Sequence, residues 1–146
     1  MGAHVSSIDI DRRPEAVYAY VTDPTRFVEW QRDVVAAHIH GDGPVELGTR
    51  LTTTRRIGRT NLTMTQVVTS LDPPWRWSVH GTDGPLRPSM DIIVEPLDAG
   101  TRSRVTFTLD FEGRGLSDLL VPVVRRMADR AAPASYRRLK EQLEAS

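Results

Sequence analysis

A chain of 146 residues is expected to form one domain, 1–146, with enough bulk for a substantial core. It has no cysteine, which excludes disulfides, thiol catalysis and thiolate metal sites, and its zero formal net charge argues against general electrostatic attachment to nucleic acid or membrane. No apolar run has the length of a membrane span, and the opening MGAHVSSIDID lacks a signal peptide's apolar core, so a cytoplasmic protein is expected.

Val5–Asp11 alternates Val5, Ser7, Asp9 and Asp11 against Ser6, Ile8 and Ile10, the period of a first strand. Pro14 then opens a short helix with Ala16, Val17, Tyr20 and Val21 on its apolar side. Asp23-Pro24 stops it and starts another turn or two carrying Phe27 and Trp30. Val34–His40 reads as a second strand, and Gly41-Asp42-Gly43-Pro44 as a turn. Leu51–Arg59 and Leu62–Leu71 flank a hairpin tip at Arg59-Thr60-Asn61. Pro73-Pro74 breaks the chain before a strand over Trp75–Gly81. Asp83-Gly84-Pro85 and Asp98-Ala99-Gly100 bound two more strands, Leu86–Glu95 and Thr101–Glu112. Short links between successive strands predict antiparallel pairing.

The last stretch has helical spacing at Leu116, Leu120, Val123, Val124, Met127, Ala131, Leu139 and Leu143. Arg125, Arg126, Asp129, Arg130, Arg137 and Arg138 largely take the other side, and the five arginines with Lys140 make a locally basic surface. Pro122 is placed near the first turn of the main helix, whereas Pro133 falls inside it and is expected to bend it.

Several short runs carry a family resemblance. They are Ile8-Asp9-Ile10, Arg13-Pro14-Glu15-Ala16-Val17-Tyr18, Thr22-Asp23-Pro24 with Phe27 and Trp30, Gly41-Asp42-Gly43-Pro44 with Gly48-Thr49, Asp72-Pro73-Pro74, Gly100-Thr101-Arg102 and Leu139-Lys140 before Leu143-Glu144. Together they resemble the polyketide cyclase/dehydrase-like branch of the START-related SRPBCC superfamily. The resemblance implies an α+β helix-grip fold (START/Bet v 1-like): a bent antiparallel sheet wrapped around a long C-terminal helix, with two short helices near the N-terminus. It also implies an apolar cavity between sheet and helix, used in such proteins for lipids, aromatic polyketides, hormones or quinones.

Alternation assigns faces to that cavity. Trp75, Trp77 and Val79 share one side of a strand, Met90, Ile92 and Val94 another, Val105, Phe107, Leu109 and Phe111 a third, and Leu62, Met64 and Val68 a fourth. Leu120, Val124, Met127 and Tyr136 are the facing helix residues, while Phe27 and Trp30 plug the helical end or border an opening. Arg55 shares a face with Leu51, Thr53 and Ile57. It therefore either snorkels to the rim or meets a carboxylate or a ligand oxygen, because an unpaired buried charge is costly. Gln66 stands similarly beside Met64 and Val68. The expected ligand-binding set is Phe27, Trp30, Arg55, Gln66, Trp75, Trp77, Met90, Phe107, Leu120 and Met127.

No catalytic set stands out. His38 and His40 have a spacing usable by a metal but lack a third ligand, His80 is alone on the face opposite Trp77, and Asp110 and Glu112 point away from Phe107, Leu109 and Phe111. There is no serine elbow, phosphate-gripping glycine loop or zincin motif, so neither cofactor nor metal is expected. The leading function is binding of a small hydrophobic or aromatic molecule, lipid-like or polyketide-like. A cyclase or dehydratase acting in the same cavity is one alternative, and a ligand-free partner-binding or regulatory module using the basic helix face is another. Nucleic acid is not an expected partner, and monomer and homodimer are both compatible with the sequence.

Overall fold

The computed structural model describes residues 4–82, 84, 86–113 and 119–145. Chain order is β1 (His4–Ile10), α1 (Pro14–Val21), a 3-10 turn (Pro24–Arg26), α2 (Phe27–Trp30), β2 (Val34–Ile39), β3 (Arg50–Ile57), β4 (Thr60–Asp72), β5 (Arg76–Gly81), β6 (Leu86–Leu97), β7 (Arg102–Gly113) and α3 (Val121–Ala145). The seven strands form one sheet ordered β1-β7-β6-β5-β4-β3-β2, with every neighbouring pair antiparallel. The helix-grip class holds: the curled sheet wraps α3, and the two short helices near the N-terminus pack beside it, α2 against α3 and β2 and α1 against β6. No helix among the described residues is long and apolar enough to cross a membrane.

Local chemistry explains the helical end. Pro14 opens α1, where its missing N–H needs no partner. Asp23 caps the following turn by accepting from Thr25 N at 3.0 Å. That turn leads directly into α2, a four-residue helix too short to persist on its own, anchored by buried Phe27 and Trp30.

Strand alternation sets the inner face. Directly opposed pairs Val94–Val105, Ile92–Phe107 and Met90–Leu109 point inward from β6 and β7, as do Leu51–Gln66 and Thr53–Met64 from β3 and β4. The hairpin tip lies at Gly58-Arg59, with Ile57 paired to Thr60, one residue before the expected tip. Gly58 supplies the positive φ of +64° that this tight turn requires. A Cβ on Gly81 would fall 2.8 Å from the Arg87 Cα, so β5 and β6 approach there at glycine distance.

Two candidate residues lie off the inner wall. Trp75 precedes β5 in a turn closed by Trp75 N donating to Asp72 O at 2.7 Å, so strand alternation does not apply to it, and it is 42% exposed. Leu120 precedes the first residue of α3 and is 53% exposed. The inward stripe of α3 is Val121, Val124, Ala128, Ala132, Ser135, Tyr136, Leu139 and Leu143, which turns Val123 outward as well. Leu116, Asp83 and Pro85 lie outside the described residues. Pro122 is the second residue of α3, as expected, and the helix runs through exposed Pro133. α3 packs on β1, α2 and β7. Lys140 fastens it to the sheet, with Nζ donating to Asp9 O at 2.6 Å and to Glu144 Oε2 at 2.8 Å.

Candidate functional site

The deep interior is filled by rings. Phe107 and Tyr136 stack at 4.4 Å with planes 13° apart. Trp30 meets Phe107 at 5.6 Å and Tyr136 at 6.5 Å, while Phe27 contacts Trp30 edge-on at 6.2 Å and Trp77 at 6.0 Å. Four expected cavity residues, Phe27, Trp30, Trp77 and Phe107, therefore pack mainly against one another. The centre of the protein is solid there because six-membered and indole rings at these offsets interlock.

Space opens instead toward the N-terminal half of α3. An open groove of about 330 Å³ is walled by Phe111, Val124, Met127, Ala128 and Ala131, with Asp33, Arg56 and Arg130 on its polar side. Behind it lies a cavity of about 20 Å³ lined by Trp30, Gln31, Asp33, Arg55, Met90, Leu109, Ala128, Ala131, Ala132, Ser135 and Tyr136. The two spaces share Asp33, Ala128 and Ala131. The small side chains of the two alanines leave room that larger ones would fill. The β3–β4 tip reaches this end of α3, since a Cβ on Gly58 would sit 3.7 Å from Met127 Cε. Exposed Val123, one helical turn before Met127, extends the apolar stripe toward solvent.

Arg55 is the charged floor of this region. It is 4% exposed, and its Nη1 donates to Asp33 Oδ1 at 2.9 Å while Nη2 donates to Gln31 Oε1 at 2.8 Å. The carboxylate demanded by its burial comes from the segment leaving α2. Sequence periodicity gave no sign of this pairing, because Gln31 and Asp33 lie between α2 and β2, in a connection without a period. Gln66 lies apart from this cluster, accepting from Thr53 Oγ1 at 2.9 Å inside the sheet. Met90 walls the small cavity and Met127 the groove.

Other polar candidates face outward or hold structure. His38 and His40 are exposed and stacked at 5.3 Å, with His40 Nε2 2.6 Å from Thr52 Oγ1. Among the described residues no three His, Cys, Asp or Glu side chains cluster as a metal set would. His80 lies 3.6 Å from Glu112 on the outer face. Asp110 accepts from Arg125 Nε at 2.7 Å, which ties that arginine of the basic helix face to β7.

All three tyrosines of the chain hold their protons unusually tightly. Burial pushes Tyr136 up to about 12, with Asp33 and Asp129 adding to the shift and Arg55 opposing it. Burial likewise raises Tyr18 to about 12, and burial with the hydrogen bond to Glu29 raises Tyr20 to about 12. In the unfolded chain these phenols ionise near about 10. Their preference for the protonated fold therefore stabilises the protein fully below about pH 10 and is lost as pH rises toward about 12. An absorbance titration should show no tyrosinate in the folded protein at about pH 10. Half-ionisation of even one tyrosine there, with the fold intact by circular dichroism, would contradict this.

A curled sheet gripping one long helix, with a groove between them, defines a START-like, helix-grip protein. The family model for polyketide cyclase / dehydrase and lipid transport matches residues 1–144, and the chain belongs to that family. Among solved structures, the Zhui aromatase/cyclase of Streptomyces superposes with a TM-score of 0.80 at 14% identity, over 97% of this chain and 93% of that one. A Thermus thermophilus protein gives 0.79 at 17% identity, over 98% and 97%. A START superfamily protein of Mycobacterium smegmatis gives 0.78 at 13% identity, over 98% and 97%. No curated protein matches the chain in sequence.

Proposed function

We propose that the protein binds a small apolar or aromatic molecule, lipid-like or polyketide-like, in the groove between the sheet and α3. The observation that carries this reading is the groove itself: about 330 Å³, with apolar walls at Phe111, Val124, Met127 and Ala131 and charged residues on one side. That volume is at the lower end of small-molecule sites, and its few polar groups beside apolar walls have the usual composition of such sites. Burial of the ligand's apolar surface provides the affinity, at about 25 cal/mol per Å² before ordering costs. The small cavity behind the groove is too small for a ring, so the ligand body occupies the groove.

Two measurements test this. Native mass spectrometry of protein purified from its own organism should reveal a co-purifying small molecule. A fluorescent apolar probe should bind the wild type and lose about tenfold or more in affinity with Ala131→Phe, because the added ring fills the groove and removes buried ligand area. Unchanged probe affinity in a folded Ala131→Phe protein would place binding elsewhere. Conversion of the co-purified compound to a new product would extend the reading to cyclase or dehydratase chemistry.

A further inference from the structure

Beyond the groove, α3 borders a second depression, an open basin of about 550 Å³ lined by Arg32, Ala134, Arg137, Arg138, Glu141 and Gln142. Arg137 and Arg138 stand one helical turn beyond Ala134, whose methyl group leaves the floor beside them open. Arg32 lines the basin from the connection between α2 and β2. Its backbone is held against the helix, because Arg32 N donates to the buried Ser135 Oγ at 2.8 Å. Elsewhere on the surface Arg26, Arg76, Arg102, Arg104 and Arg125 each meet a carboxylate of the chain. Among the described residues, Arg32, Arg137 and Arg138 meet none at ion-pair distance, and the basin wall carries only the carboxylate of Glu141. Three cations against one anion leave the basin with two positive charges in excess.

We propose that this basin binds a phosphate monoester, the charged end of the molecule whose apolar body lies in the groove. The site lies outside the groove, and the inference rests on the groove reading above. The two depressions adjoin along one seam. Ala131 walls the groove and Ala134, one turn on, the basin, while Asp33 borders the groove and its neighbour Arg32 the basin. From Met127 to Arg138 the helix rises about 16 Å, which sets the reach of the ligand from apolar end to charge. A phosphate monoester carries about two negative charges at neutral pH and three acceptor oxygens. It therefore matches both the excess charge and the forked guanidinium donors, whereas a carboxylate would leave one positive charge unmatched. Arg56 and Arg130 bring positive charge nearer the groove, but Asp33 shares their wall and would repel a phosphate there. Arg32, Arg137 and Arg138 are exposed, so the bound dianion keeps part of its hydration and escapes the cost of full burial.

The test uses a matched pair, decyl phosphate and decanol, kept below micelle formation and titrated against the wild type, Arg32→Gln and the double variant Arg137→Gln/Arg138→Gln. In the wild type, decyl phosphate should bind about tenfold or more tightly than decanol, because guanidinium–phosphate hydrogen bonds are charge-assisted. Added salt should shrink that preference. The double variant should lose it and bind the two probes alike, and Arg32→Gln should weaken it. Equal binding of the pair by the wild type would overturn the phosphate site and leave the groove standing. Failure of both probes to bind would overturn the groove reading and this inference together. A phosphate preference that survives undiminished in both variants would place the anion elsewhere and overturn the basin. Vesicles of phosphatidylcholine with phosphatidic acid then identify the source of the monoester. Adsorption that the double variant loses, alongside the preference for decyl phosphate, assigns it to a bilayer headgroup, and no adsorption assigns it to a free amphiphile.

Discussion

Trp30→Ala should destabilise the protein by about 3–5 kcal/mol, the range for removing a fully buried large aromatic side chain. Trp30 is 1% exposed and touches rings from three separate elements: Phe27 of α2, Phe107 of β7 and Tyr136 of α3. No side chain nearby can collapse into the void, because Phe107 is already fixed by stacking on Tyr136. The loss extends beyond area. The α2 segment has four residues, and its two buried anchors are Phe27 and Trp30. Releasing one frees the connection that carries Gln31 and Asp33 to Arg55. Trp30→Phe, which keeps a ring in the stack, should cost about 1–2 kcal/mol. Urea unfolding of the three proteins measures both values. A loss below about 1 kcal/mol for Trp30→Ala would show that Trp30 is not a keystone of the aromatic core.

The fold was legible because its signals are local and repeat. Alternation in β6 and β7 put Met90, Ile92, Phe107 and Leu109 on one face, and the structure places them there. Pro14 and Asp23-Pro24 punctuate the chain through fixed φ and a side-chain cap, whereas the β3–β4 tip was set one residue late because the positive φ of Gly58 was not read as the turn. Alternation failed at Trp75, where a turn hydrogen bond to Asp72 removes the residue from the strand. Helical phase failed at Leu120, because a period cannot mark the first residue of a helix. The site was harder to read. Burial of Arg55 followed from its strand neighbours, but its partners come from more than twenty residues earlier in the chain, and the hydrogen bonds to Gln31 and Asp33 span separations of 24 and 22. Nor does periodicity report volume. The same inward positions would describe either a hollow or a filled interior, and the sizes of Trp30, Trp77 and Phe107 decide for a filled centre with its opening at the alanines of α3.

Asp33→Ala should cost about 3 kcal/mol, because it strands a buried guanidinium. The Arg55 side chain is 5% exposed and that of Asp33 20%, so the two partners differ in their access to water. Without Asp33, Arg55 keeps Gln31 Oε1 as a neutral acceptor but loses its carboxylate partner. Removing the other partner should be milder. Arg55→Met fills similar space with apolar atoms, and the remaining carboxylate is exposed enough to hydrate, so a loss of about 1 kcal/mol is expected. The double variant should resemble Arg55→Met alone, since with no buried cation left the aspartate has no charge to balance. A cycle of these four proteins in urea should then return a coupling of about 2–3 kcal/mol. The same cycle separates two accounts of Arg55. If the pair is a closed structural unit, the coupling is insensitive to ligand. If Arg55 also faces a bound acceptor, a saturating apolar probe that carries an acceptor oxygen should stabilise wild type more than Arg55→Met, since ligand binding adds stability only where its contacts exist. A coupling near zero without ligand would mean that Arg55 reaches water when Asp33 is gone, and that the floor of the groove is wetter and looser than its burial indicates.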